Sequence, residues 1–320
     1  MRPALRGGLA LVGAITTAAA MAFDLQGHRG ARGLAPENTL PAFERALELG
    51  VTTLELDVGI TRDGVVVIHH DPALNPDTTR DASGEWLAQR GPALHSLTWA
   101  QLQTYDVGRL KPGGDYGRRY PEQRARDGTR VPRLADLFDL LKRSGNDRVR
   151  VSIETKLAPD KPEETPAPEP FAQALVDEIR KAGMERRSSI QSFDWRTLQV
   201  VQRIAPEIPT VYLSARQRWL DNIAAERPEG SRWTAGFQFR DHGSVAKMVK
   251  AAGGAYWSAY FGDLDAQKVT EARALGLKVL AWTVNDPAVM ARIIGYGVDG
   301  LITDRPDLAR EVLKQHGIAW

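Results

Sequence analysis

Between Gln26 and Pro72 the chain concentrates side chains able to do acid–base and metal chemistry. The stretch contains Gly27-His28-Arg29-Gly30, then Pro36-Glu37-Asn38-Thr39, then Thr53-Leu54-Glu55-Leu56-Asp57-Val58, and finally Asp63-Gly64 before Val65-Val66-Val67-Ile68-His69-His70-Asp71. Leu54, Leu56 and Val58 alternate with Glu55 and Asp57, a period of two that marks a strand. Both carboxylates therefore leave one face of it. Two close carboxylates repel at neutral pH unless something positive neutralises them. Oxygen donors suit a hard divalent cation, Mg2+ or Ca2+. Arg29 can grip a phosphate through two parallel hydrogen bonds. Two histidines can serve as general acid and general base. Cation, arginine and an imidazole pair together point to phosphoryl chemistry.

Asp63-Gly64 between two apolar runs signals a two-residue hairpin turn. With Arg62 paired to Val65, Asp57 falls opposite His70, and directly opposed residues share a face. His70 is thus expected beside the acids, and His69 is expected to face away. A later strand, Val149 to Lys156, carries Glu154 and Lys156 on one face. An acid two residues from a lysine inside a barrel is costly unless the charges are used. Glu154 would complete a site of three acids with Glu55 and Asp57, and Lys156 would meet a phosphate oxygen as a point charge.

These residues need a frame that brings distant strand ends together. Apolar runs alternate with helical stretches from Phe23 onward, which favours a parallel sheet with helical crossovers. Strands are expected near Leu25–His28, Thr53–Val58, Val149–Glu154, Ser189–Phe193, Thr210–Leu213, Ala255–Ser258, Val279–Thr283 and Gly300–Ile302, with Val65–His69 as a hairpin return. Eight such units make a closed (β/α)8 TIM barrel, whose active sites lie at the C-terminal strand ends. Leu40 to Leu49 reads as a helix capped by Thr39 and stopped at Gly50. Two stretches break the rhythm. Residues 72–132 form a polar insertion after the second strand and its hairpin. Leu157 to Pro170, with Pro159, Pro162, Pro166 and Pro168, reads as extended loop. Ile302 to Pro306 reads as a strand end and helix cap, with a structural role only.

The ordered motifs His28-Arg29-Gly30, Glu37-Asn38-Thr39, Glu55 and Asp57, Asp63-Gly64 and His70-Asp71 resemble those of the glycerophosphodiester phosphodiesterases. The resemblance extends over about residues 24 to 310. It implies metal-dependent hydrolysis of a small-molecule glycerophosphodiester to glycerol 3-phosphate and an alcohol. It implies one divalent cation, Ca2+ or Mg2+, on Glu55, Asp57 and Glu154, with Lys156 on the phosphate and His28 and His70 as the acid–base pair. Gln191-Ser192-Phe193 matches a further motif, with Gln191 expected to point inward to the phosphate or a metal-bound water. Trp282-Thr283-Val284-Asn285 matches another, which sets Trp282 as a wall of the glycerol pocket. The insertion at 72–132 is implied to form a small cap. Glu37 and Asn38 are expected to brace the first loop, and Asp71 to orient His70.

Composition narrows the alternatives. Arg2 and Arg6, the apolar run Leu9 to Ala20 and the Ala20-Met21-Ala22 end describe a cleavable signal peptide over residues 1–22, leaving 23–320 as the barrel domain of a periplasmic or secreted protein. The apolar run is too short to favour a membrane span. The chain of 320 residues carries 42 basic and 40 acidic side chains. Without the leader's two arginines it is formally neutral, so its basic pI is no sign of nucleic-acid binding. No cysteine is present, which removes disulfide and thiolate chemistry. No P-loop, dinucleotide fingerprint, nucleophile elbow or zinc spacing occurs. Two other readings compete: a phospholipase D- or C-like barrel acting on lipid head groups, with Trp86, Leu87, Leu94, Leu97 and Trp99 as an apolar rim, and a barrel that only binds a phosphate ester.

Overall fold

The computed structural model describes residues 22–320. The leader expected at 1–22 lies outside them but for Ala22. The strands are β1 (Asp24–Gly27), β2 (Thr53–Ile60), β3 (Val66–Ile68), β4 (Arg150–Thr155), β5 (Ser188–Ser192), β6 (Thr210–Ser214), β7 (Arg216–Gln217), β8 (Leu220–Asp221), β9 (Tyr256–Tyr260), β10 (Lys278–Trp282) and β11 (Gly300–Thr303). The helices are α1 (Leu40–Glu48), α2 (Trp99–Leu102), α3 (Asp115–Arg118), α4 (Leu134–Arg143), α5 (Pro168–Ala182), α6 (Trp195–Ile204), α7 (Phe239–His242), α8 (Val245–Ala251), α9 (Ala266–Ala274), α10 (Pro287–Gly295) and α11 (Pro306–Gln315).

Eight strands run parallel in the order β1-β2-β4-β5-β6-β9-β10-β11, and β11 returns to pair with β1. This is the closed (β/α)8 barrel expected from the alternation. Leu25, Leu54, Leu56, Val58, Val151 and Ile153 are fully buried in one core with Phe43, Leu137, Phe171 and Leu198 of the helices. The alternate positions on the same strands, including Glu55, Asp57 and Glu154, are thereby committed to the barrel interior. Parallel register sets Asp57 level with Glu154 on the next strand.

The hairpin differs from its expected register. β2 and β3 pair as Val58 with Ile68 and Ile60 with Val66, so Asp57 is level with His69, whose N–H donates to the Asp57 carbonyl at 3.0 Å. Thr61 closes the loop onto Val65, leaving Arg62-Asp63-Gly64 as a three-residue turn with Gly64 at φ +82°. An Asp-Gly pair serves this turn as well as the two-residue one, because both need a left-handed glycine. β3 ends at Ile68, and beyond it His70 still reaches the cavity while His69 turns to hydrogen-bond the Asp71 carbonyl through Nδ1 at 2.9 Å. The position of His70 is as expected, but strand peeling and not cross-strand pairing produces it.

A second departure is α5. The loop after β4 ends at Ala167, and Pro168 opens the helix. Proline is well tolerated in a first turn, where its missing N–H has no partner to lose. The insertion holds a small core of its own. Leu74, Leu94, Leu102, Val107 and Val131 cluster there over Val67 of β3, with Leu87, Leu97 and Trp99 packed against them. Of the apolar residues singled out in the insertion, Leu94 is buried in this cluster, and Leu87, Leu97 and Trp99 pack partly buried against it.

Candidate active site

The loop after β1 is shaped by two backbone positions. Gly30 sits at φ +84°, where an added Cβ would lie 2.6 Å from the Ala42 backbone, so the loop can rest directly on α1. Arg29 itself adopts φ +51°, an unfavourable value for a side-chain-bearing residue. That conformation aims its N–H at Glu55 Oε2, 2.9 Å away.

Glu55, Asp57 and Glu154 each bring one carboxylate oxygen to within 4.8 Å of the others, and all three are buried. Gln191 Nε2 donates to Glu55 Oε1 at 2.7 Å. Asn38 Nδ2 donates to Asp57 Oδ2 at 2.9 Å, and Arg29 Nε lies 3.3 Å from the same oxygen. Lys156 Nζ donates to Glu154 Oε1 at 2.8 Å and stands 3.6 Å from Asp57 Oδ1. Burial drives Glu55 upward, with Asp57 and Glu154 adding repulsion. Burial likewise raises Glu154 to about 7, against the pull of Lys156. Asp57 goes the other way: burial opposes its charge, but His70, Arg29, Lys156 and Asn38 outweigh it and hold its carboxyl well below the usual range. Three acids so placed cannot all ionise comfortably without another positive charge.

The donor set fits a hard divalent cation. Every candidate ligand is an oxygen, the preference of Ca2+ and Mg2+. Two buried polar atoms at the same place, Arg29 Nε and Gln191 Oε1, have no hydrogen-bond partner, and of these only the oxygen could meet a cation.

Both imidazoles are held by carboxylates. His28 Nδ1 is 2.6 Å from Asp304 Oδ1, and His70 Nδ1 is 2.7 Å from Asp71 Oδ1. An ionised carboxylate only accepts, so at these distances each Nδ1 carries the proton and each Nε2 is left bare; Arg32 Nη2, 3.1 Å from His28 Nδ1, gives its proton to Asp304 Oδ2 at 3.0 Å. His28 Nε2 lies 3.9 Å from Glu55 Oε2, and His70 Nε2 accepts from Lys156 Nζ at 3.1 Å. His28 is drawn from 6.5 to about 4, by burial first and by Arg32 next. His70 is drawn down to about 4 by burial, then by Arg29 and Lys156. Its side chain keeps 31% of its surface open toward the mouth.

A cavity of about 790 Å3 opens over these groups. Phe193 and Trp282 meet edge to face at 5.2 Å along one wall, and Trp219 continues it at 60% exposure. The insertion covers the other side through Tyr116, Arg119 and Tyr120. Tyr116 hydrogen-bonds Glu37 and accepts from Arg32 Nη1 at 3.2 Å. Glu37 also receives Arg29 Nη1 at 2.7 Å.

All nine residues singled out from the sequence, His28, Arg29, Glu55, Asp57, His70, Glu154, Lys156, Gln191 and Trp282, converge on this rim, with Asp57 just beneath the cavity surface. Glu37 braces the first loop through Arg29, the Asn38 side chain ties that loop to Asp57 on β2, and Asp71 holds His70. Gln191 points inward, but its amide N–H engages Glu55. Ile302 to Pro306 is the strand end and helix cap expected, and Asp304 within it also reaches the site. Asp304 is 1% exposed and holds His28, while also receiving Arg32 Nε at 2.7 Å and Asn285 Nδ2 at 2.7 Å. The cap itself is Arg305. The place of Asp304 directly after the eighth barrel strand was the available signal. Arg32, Tyr116, Tyr120, Trp219 and Trp233 also line the cavity and carry no motif that marks them.

A closed barrel with acids, imidazoles and cationic side chains gathered at the C-terminal strand ends has the build of a barrel enzyme, with its site where such enzymes carry it. Comparison with known proteins makes this specific. The profile of the Glycerophosphoryl diester phosphodiesterase family matches residues 28–308. A glycerophosphodiester phosphodiesterase of Bacillus subtilis is 28% identical over 90% of this chain and 85% of its own. Another, from Caldanaerobacter subterraneus, is 26% identical over 91% and 97%. A crystal structure from Silicibacter pomeroyi, assigned to the same family, is 37% identical, with a TM-score of 0.82 over 93% of this chain and 95% of that one. The chain belongs to the glycerophosphoryl diester phosphodiesterase family. It is a phosphoric diester hydrolase, of the type that leaves a glycerophosphate-like product.

Proposed function

We propose that the protein hydrolyses glycerophosphodiesters to sn-glycerol 3-phosphate and an alcohol, with Glu55, Asp57 and Glu154 holding one Ca2+ or Mg2+. Such a cation supplies Lewis-acid stabilisation of negative charge on the phosphoryl oxygens. Arg29 and Lys156 carry the remaining phosphate charge. One imidazole of His28 and His70 takes the proton of the attacking hydroxyl, and the other delivers a proton to the departing alkoxide. Each bare Nε2 suits the accepting role directly. The donating histidine must gain a proton first, and a bound phosphate favours this by offsetting the cations that hold its basicity down. The attacking oxygen belongs to water or to the neighbouring glycerol hydroxyl; the second route forms a cyclic phosphate that water then opens. Gln191 and Trp282 complete the pocket.

The observation that carries this reading is one rim bearing three clustered carboxylates between two carboxylate-oriented imidazoles. The test is an assay of metal-stripped protein on glycerophosphocholine and other glycerophosphodiesters, coupled to detection of glycerol 3-phosphate. Product release should appear on adding Ca2+ or Mg2+ and vanish with chelator. Undiminished turnover in chelator would defeat the metal assignment, and faster turnover of intact lipid would favour the lipid head-group reading.

We further propose that residues 1–22 are a cleaved leader and the enzyme works in the periplasm or outside the cell. The Arg2/Arg6 start, short apolar run and Ala20-Met21-Ala22 end support it. Mass spectrometry of the protein recovered from the periplasm should find Phe23 at the N-terminus; an intact Met1 in a cytoplasmic fraction would contradict this.

A further inference from the structure

We infer that Gln191 is a fourth protein ligand of the cation, through its amide oxygen. This rests on the proposal that Glu55, Asp57 and Glu154 bind a divalent ion. Gln191 lies on β5 in register with Glu154 on β4, and its amide nitrogen is 2.7 Å from Glu55 Oε1. The amide is thus fastened to one acid and neighbours another. Gln191 is 1% exposed, and its Oε1 is a buried acceptor with no hydrogen bond. Native proteins leave few such atoms unserved, and an ion is one of the ordinary reasons when they do.

Three other buried atoms lack partners on strands of the barrel interior: Gln26 Oε1, Ser152 Oγ and Ser258 Oγ. None belongs to a side chain that hydrogen-bonds an acid of the cluster, and buried water is the ordinary partner of such isolated atoms. Gln191 differs because its anchored nitrogen fixes where its oxygen can go. An amide carbonyl is a hard, neutral oxygen donor of the kind Ca2+ accepts. It adds coordination without adding to the repulsion among three carboxylates. A fourth carboxylate there would add one more like charge to the three already within 4.8 Å of one another.

The experiment loads the metal-stripped protein with Eu3+, a hard probe for such sites, and counts coordinated waters from luminescence decay in H2O and D2O. Gln191→Leu keeps the volume but offers no donor. It should add about one coordinated water and weaken Ca2+ binding by calorimetry at least about tenfold. Gln191→Glu restores an oxygen donor and should show no more waters than the unaltered protein. Gln191→Met, which also lacks an oxygen donor, should add the same water and carries the test if the leucine variant fails to fold. An unchanged water count in Gln191→Leu, or an extra water in Gln191→Glu, would overturn the assignment and leave internal water as the partner of Oε1. Failure of the unaltered protein to bind Eu3+ or Ca2+ would instead defeat the metal site itself.

Discussion

Replacing His28 by Ala should lower kcat by about two to four powers of ten while leaving metal affinity and the unfolding midpoint nearly unchanged, as expected for loss of a proton-transfer group. The more telling change is Asp304→Asn, which keeps the shape of the side chain. Asp304 only accepts, so it pins the proton of His28 on Nδ1 and leaves Nε2 bare, 3.9 Å from Glu55. An asparagine can turn its NH2 toward Nδ1, which shifts the proton to Nε2 and blocks that atom as an acceptor. Asp304→Asn should therefore approach His28→Ala in kcat, about 100-fold or more down, with KM much less affected. In the double variant the two losses should not add, because both act through one imidazole. Near-full turnover in Asp304→Asn would show that the tautomer of His28 is irrelevant to the reaction.

The other large effect is expected from Asp57→Asn. Asp57 is 1% exposed and is the acid whose attractions outweigh its burial, with Arg29 Nε at 3.3 Å and Lys156 Nζ at 3.6 Å. Removing its charge has two separable consequences. The cation loses a ligand, so Ca2+ affinity should fall by about 100-fold or more, beyond the range for supporting residues. Activity at limiting metal should fall in step. Without metal, Arg29 and Lys156 lose a buried counter-charge, and breaking a buried pair costs about 3–5 kcal/mol. The net sign follows from the depression of the Asp57 carboxyl: attraction to cations exceeds repulsion from Glu55 and Glu154. Calorimetric Ca2+ titration and urea unfolding in chelator measure the two effects. A variant with unaltered Ca2+ affinity would remove Asp57 from the metal site, and a more stable apo protein would show that acid repulsion dominates there.

Much of this site could be read before any fold was known. Glu55 and Asp57 share a face because strand side chains alternate, and that holds in any fold that makes Thr53 to Ile60 a strand. Glu154 and Lys156 follow by the same rule. The expectation for His70 placed it at the cavity, where it lies, by an incorrect register. An Asp-Gly pair fits both two- and three-residue turns, and a difference of one residue in the loop moves the pairing by one. The helix start at Pro168 was missed because proline marks both extended chain and first turns.

Local periodicity settled the eight strands and the faces their side chains take, since both depend on spacing within a few residues. Tertiary closure alone settled that Asp304, more than 270 residues from His28 in the chain, holds that imidazole, and that the insertion lends Tyr116 and Tyr120 to the pocket. Contacts across the barrel mouth depend on how β11 meets β1 and how one long loop folds over the rim. Those arrangements arise from the packing of the whole chain, and no short stretch of residues encodes them.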